Sequence, residues 1–203
     1  MRDGAINSLT AGVITAVLGS VLFFLLAYVV NRTDLRGRHL LEYLAMLPVA
    51  LPSLVMGLGI LWTWIALPLP VYGTLAIIVI AFLTRFLPQG YRAVASSIGQ
   101  VHDDLEHAAM VAGAGRATAV RTITLPLIRS GVAASAFLML VLGMRELTAS
   151  LFLYTTNTRL LSIVIFEAYE NGRWTAVASI SLIYTLALVA LTLLSRRFMR
   201  AAL

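Results

Sequence analysis

Three ionisable side chains interrupt or border long uncharged runs, and their chemistry has to be accounted for first: Arg85, Arg145 and Glu146. A charge deep in an apolar helix is expensive unless it snorkels, pairs or faces water. Arg85 sits about 11 residues, roughly 17 Å, into its run at 1.5 Å per residue. Arg145 and Glu146 are adjacent, and neighbours in sequence do not face each other on a helix, so a mutual salt bridge is no easy explanation for the pair. The three could form an intramembrane relay in an ion-coupled secondary transporter or channel. They could equally line the path of a solute that is moved without chemistry. Covalent catalysis has little to work with. There is no cysteine, which excludes thiol nucleophiles, disulfides and cysteine metal sites. No uncharged run carries paired carboxylates or histidines for acid–base work. His39, His102 and His107 fall in loops, and the last two lie five apart rather than four, so no metal site is expected. Gly113-x-Gly115-Arg116 lacks the G-x-x-x-x-G-K-[ST] spacing that cradles phosphate, so the chain is not expected to hydrolyse nucleotide or to bind a cofactor itself.

The elements that must hold these residues are membrane spans. Hydrophobic residues make up 60% of the chain and charged ones only 12%, far from a soluble balance. The formal charge of +6 comes entirely from arginines, most of them in short loops between apolar runs, which reads as topology rather than a nucleic-acid surface. Leu9 to Val30 is uncharged for 22 residues, about 33 Å against a core of roughly 30 Å. It is too long for a signal peptide, and Arg2 is balanced by Asp3, so it is expected to be retained. Tyr43 to Thr84 is uncharged for 42 residues, twice what one crossing needs, and Leu67 to Gly73 supplies the breakers for a hairpin. Spans are therefore expected near 9–30, 44–66, 74–91, 128–150 and 175–195, in a single domain over residues 1–203. Pro48 and Pro52, with Gly57 and Gly59, should bend or loosen the second span, as a gating helix or for close packing. Arg32, Arg36 and Arg38 after the first span, and Arg92, Arg116, Arg121 and Arg129 around the loop before the fourth, place those loops in the cytoplasm. The N-terminus is then outside, and Arg196, Arg197 and Arg200 put the C-terminus inside.

One polar island breaks this pattern, the loop at about 102–126 with the segment Asp103 to Pro126. Asp103 is placed to cap a helix start, with Glu106 reaching back to complete a capping box. Gly113 is placed to close the helix in the left-handed conformation. Between them Leu105, Ala108, Ala109 and Ala112 fall on one small, apolar face suited to a shallow groove on a partner.

His107-Ala108-Ala109, then Gly113, then Ile123-x-Leu125-Pro126 resembles the E-A-A, three residues, G, nine residues, I-x-L-P pattern of permease subunits of binding-protein-dependent ABC importers. The likeness extends to Asn7-Ser8-Leu9, to Leu47-Pro48 through Gly59, and to Arg145 through Asn171, and so covers most of the chain. The motif's glutamate position holds His107, with Glu106 one place earlier. The resemblance implies an all-α integral membrane fold, the five-span core of a type I importer permease. It also implies that Glu106, His107, Ala108, Ala109, Gly113, Leu125 and Pro126 belong to a coupling helix and loop that dock on a cytoplasmic ATPase subunit. Pro48, Pro52, Arg85, Arg145 and Glu146 would then be candidates for the pathway or its gate. Implied partners are two ABC ATPase subunits that consume the ATP, an extracytoplasmic solute-binding protein, and a second permease copy or half, in the inner membrane of a bacterium. Arg145 to Asn171 most resembles the ferric-iron-type branch, whose relatives include sulfate, molybdate, thiamine and phosphonate permeases. Many permeases of that branch are fused pairs, so a homodimer, a heterodimer and half of a longer chain all remain open.

Overall fold

The computed structural model describes the backbone of residues 1–201 and the side chains of all of these but 196 and 198–201. The side chains of Arg196 and Arg200, in the C-terminal basic cluster, thus lie outside the described residues. Helix α1 (Arg2–Arg32) is one unbroken rod of 31 residues, starting well before the expected Leu9. Its buried positions include Gly4, Ser8, Ala11, Gly12, Thr15, Ala16 and Gly19, a stripe of small side chains that lets other backbones approach closely. It packs most extensively on α4 (Leu75–Gly99) and α7 (Leu125–Arg145), which also pack on each other. These three helices form the centre of the molecule, with Phe23, Phe82, Ile77, Ile78 and Met139 fully buried among them.

The second uncharged run departs from the single crossing expected at 44–66. It is built from α2 (Arg38–Met46), a 3₁₀ turn (Leu47–Ala50) and α3 (Ser53–Ala66), and the two arms meet at 111°. Leu51 is extended with φ −98° and ψ 128°, and Pro52 follows with ψ 137°. A proline pushes the residue before it out of the helical region and offers no N–H, and this breaks the run at Leu51–Pro52, whereas Leu47 before Pro48 stays helical at φ −48° and ψ −41°.

Helix α4 runs through Pro88 and Gly90 to Gly99, past the expected end at residue 91. Helix α5 (Asp104–Val111) follows as a short separate element. The fourth span starts earlier and ends earlier than expected. Helix α6 (Arg116–Ala119), a π turn (Val120–Thr124) and α7 form one continuous apolar helix over Arg116–Arg145. Pro126 is carried at the start of α7, where the widened turn leaves its missing N–H without consequence. After Glu146 the chain makes a 3₁₀ turn (Ser150–Phe152), then α8 (Leu161–Glu170), which is too short to cross and is closed by Gly172 at φ 67°. Helix α9 (Trp174–Ala201) is the last described element and the least covered of the long helices. Among the described residues four helices are long and apolar enough to cross a membrane, and the bent pair makes a fifth if its arms count as one span.

Candidate functional site

Helix α5 is tied to the rest of the molecule by two of its three carboxylates, Asp103 and Glu106, and neither makes the cap expected from the sequence. Asp103 has helical backbone angles and no capping hydrogen bond. Its carboxylate instead pairs with Arg32 at the end of α1. The Arg32 side chain is only 4% exposed, and it also donates to the carbonyl oxygens of Ile98, at 3.0 Å, and Val101. Glu106 does not reach back to Asp103; it is turned inward and only 5% exposed. The Tyr28 hydroxyl donates to its Oε2 at 2.8 Å, and Thr124 in the π turn donates to its Oε1. Arg116 closes the arrangement: its Nε donates to the Tyr28 oxygen at 3.3 Å, its guanidinium lies 5.7 Å over the Tyr28 ring, and it donates to the Arg32 carbonyl. A buried carboxylate needs such donors, because an unpaired one would lose its hydration without return.

The outward side of α5 is the opposite in character. Leu105, Ala108 and Ala112 are exposed, and Val111 is 89% exposed. His107 is also exposed, while Ala109 is half-buried. The helix stops as expected at Gly113, which has φ 93°. Two hydrogen bonds seal that end, Gly113 N–H to Met110 and Ala114 N–H to Ala109, each 3.0 Å, the double closure that a left-handed residue permits. Leu125 is half-buried and Pro126 exposed at the head of α7. Between α5 and α7 runs a cleft of about 750 Å³ whose walls include Gln100, His102, Leu105, Leu127 and Ser130. Apolar side chains facing out, with Glu106 buried and Asp103 pinned by Arg32 at the surface, make α5 a firmly seated, greasy protrusion.

The other candidates are not assembled into one site. Arg85 is half-buried in α4, and its Nε is buried without a hydrogen-bond partner among the described residues. Pro48 is buried in the 3₁₀ turn and Pro52 precedes α3. Arg145 ends α7, exposed beside a groove of about 420 Å³ that it shares with Thr185, Leu188 and Thr192 of α9. Glu146 caps the turn that follows: its Oε1 accepts from the Ala149 N–H at 2.9 Å, and its carbonyl accepts from Ser150 and Ser162. No described hydrogen bond or ion pair links Arg85, Arg145 and Glu146, so a continuous relay between them has no geometric support.

Sequence reasoning missed Tyr28 and Arg32 because they lie far from α5 along the chain, and Arg116 and Thr124, though in the same segment, because nothing local marks them as facing Tyr28 and Glu106. It had a signal for Asn7 and Ser8. Asn7 donates from its side chain to the carbonyls of Asn157 and Arg159, both at 3.0 Å, and Ser8 accepts from the Leu161 N–H at 2.8 Å. These bonds fix the loop before α8 to the first turns of α1.

Comparison with known proteins bears on the fold and the family. The chain is 30% identical over 196 residues to the ferric transport system permease protein FbpB of Actinobacillus pleuropneumoniae, covering 93% of this chain but only 28% of that protein's length. It is 26% identical over 212 residues to the trehalose transport system permease protein SugB of Mycobacterium tuberculosis, covering 98% of this chain and 73% of the relative. Among solved structures it superimposes on a chain of a bacterial alginate ABC transporter, in complex with an alginate pentasaccharide-bound periplasmic protein, with a TM-score of 0.82 at 17% identity. That match covers 98% of this chain and 78% of the other. It superimposes similarly on the MetNI methionine ABC transporter in an inward-facing form, with a TM-score of 0.79 at 15% identity over 98% and 94% of the two chains. The fold is therefore that of the type I ABC importer permeases. With residues 24–202 matching the family described as binding-protein-dependent transport system inner membrane component, the chain belongs to that family.

Proposed function

We propose that this chain is the membrane-spanning permease subunit of an ATP-driven importer, and that α5 is the helix through which a separate ATPase subunit grips it. The observation that carries this reading is the uncovered face of Leu105, Ala108, Val111 and Ala112 on a helix held to the permease core through Glu106 and Asp103. Small side chains on a rigid, exposed helix suit insertion into a groove. His107 stands at the rim of that face, Glu106 supports it from beneath, and Leu125 and Pro126 set the start of the span that carries the movement inward.

The chain works with a second permease copy or half and with two ATPase subunits that use the ATP. An extracytoplasmic binding protein delivers the solute. The arginine-rich loops give an N-terminus outside and a C-terminus in the cytoplasm of the inner membrane. Pro48, Pro52, Arg85, Arg145 and Glu146 remain candidates for the pathway and its gate. The ferric-transport relative supports ferric iron or another small anion or metal-type solute. Because a trehalose-transport permease is also similar, solute choice is read as residing largely in the separate binding protein.

The test is co-purification of an affinity-tagged chain with its ATPase from one membrane extract, followed by ferric uptake into proteoliposomes with the binding protein present. Ala108→Arg should abolish ATPase association without lowering membrane insertion. Gly113→Val, which forces a branched side chain into positive φ, should weaken association and stop uptake. Wild-type association in both variants would show that α5 is not the docking helix.

A further inference from the structure

We propose that Tyr28 is a positioning residue, one half of a two-point latch that makes α1 move with the coupling helix. The idea rests on reading α5 as the docking helix. Tyr28 and Arg32 lie four apart, on one face of the last turns of α1. Asp103 and Glu106 lie three apart, at the start of α5. Tyr28 holds Glu106 and Arg32 holds Asp103, so two helices are joined at two separate points. A single contact would leave a swivel. Two contacts fix rotation as well as separation, and a displacement of α5 has to be carried into α1.

Three further observations give the latch its stiffness. Glu106 is buried, and its second oxygen is held by Thr124 at the π turn, so the same carboxylate also ties α5 to the head of α7. Hydrogen bonds to a charged acceptor shielded from water are the strong class. Arg116 lies across the Tyr28 ring and bonds its oxygen, which keeps the phenol pointed at Glu106. Helix α1 is then continuous over 31 residues to its far end, where Asn7 and Ser8 bind the loop leading into α8. The rod is gripped at both ends, by the coupling helix at one and by the opposite loop at the other.

Tyr28→Phe removes the hydroxyl, and with it the bonds to Glu106 and from Arg116 Nε, but keeps the ring under the Arg116 guanidinium, so it should spare the fold. With the ATPase bound in proteoliposomes, we expect association and hydrolysis to persist while solute moved per ATP falls about tenfold, the scale of one hydrogen bond to a charged group. In the purified permease alone, amides of residues 104–112 should exchange about tenfold faster. Glu106→Gln keeps an acceptor for Tyr28 but removes the charge, so its loss of coupling should fall between wild type and Tyr28→Phe. Tyr28→Phe combined with Glu106→Gln should fall no further than Tyr28→Phe alone. A wild-type chain that binds ATPase while Tyr28→Phe transports at full yield per ATP would overturn the latch alone, even if exchange at α5 rose. A wild-type chain that binds no ATPase would overturn the docking reading and the latch with it.

Discussion

Phe23 of α1 fills the space that a β-carbon on Gly90 of α4 would need, and the two helices touch there without room for a methyl group. Phe23 is fully buried, so its ring has nowhere to retreat. Ser135 of α7 bonds the Gly90 carbonyl at 3.3 Å, which brings the third central helix to the same point. Gly90→Ala should therefore behave as overpacking in a close-packed core, at about 1–3 kcal/mol. The expected result is a lower unfolding temperature in detergent, partly restored by adding Phe23→Leu. An unchanged midpoint for Gly90→Ala would mean that α1 and α4 are more loosely apposed than the packing shows.

Two glycines in α3 separate a packing requirement from a mere preference. A β-carbon on Gly57 would lie 2.8 Å from the Ala149 carbonyl oxygen and 3.1 Å from its Cα, both backbone atoms that cannot swing aside. At Gly59 nothing lies within 4 Å. Gly57→Ala should push α3 off the turn after α7 and reduce uptake severalfold at normal protein level, whereas Gly59→Ala should leave uptake intact and stabilise α3 by up to about 1 kcal/mol through helix propensity. Equal behaviour of the two variants would count against the seating of α3 on Ala149.

The spans were legible because the bilayer imposes one simple requirement, about 20 uncharged residues per crossing, and long runs meet it visibly. The existence of a bend at Pro48 and Pro52 was legible for the same local reason, the missing N–H groups. Its size was not, because whether a proline kinks or breaks a helix depends on what receives the second arm, here Ala149 some 90 positions on. The closure at Gly113 could be read from one residue type. The cap at Asp103 and Glu106 could be imagined but not decided: the same carboxylates fit a local capping box or distant donors, and Arg32, Tyr28 and Thr124 outbid the box. The I-x-L-P segment was read as the end of a loop, since a proline commonly marks a helix boundary. A π turn carries the helix through it instead.

Orientation can be tested on a chain that has no cysteine of its own. Single cysteines at Asn31 and Gly115, both exposed at the end of the bundle that carries α5, should be shielded from an impermeant external thiol reagent in intact cells. Cysteines at Asn157, which is exposed, and at Gly73, in the turn before α4, should be labelled. External labelling at Gly115 would place α5 on the wrong side of the membrane for an ATPase.

The pair Arg145 and Glu146 offers the sharpest choice between a gate charge and a structural support. Glu146 spends one carboxylate oxygen on the Ala149 N–H, and Ala149 is the residue against which Gly57 seats α3. Its carbonyl meanwhile accepts from Ser150 and Ser162, so the turn after α7 and the start of α8 meet at this one residue. Glu146→Ala deletes an acceptor beneath a buried N–H and should destabilise the turn by about 1–3 kcal/mol, with uptake falling as α3 loosens. Glu146→Gln keeps the acceptor oxygen and removes the charge. If Glu146 works by holding the turn, the Gln variant should transport nearly as well as wild type while the Ala variant fails. If its charge lines the outer gate, both should fail alike at normal protein level. Arg145 makes no bond that the turn needs, so Arg145→Ala should leave thermal stability within about 0.5 kcal/mol of wild type. A loss of uptake in that variant would therefore report on the solute path itself. Uptake unchanged in both Arg145→Ala and Glu146→Gln would remove the pair from the gate and leave Glu146 as the support of α3.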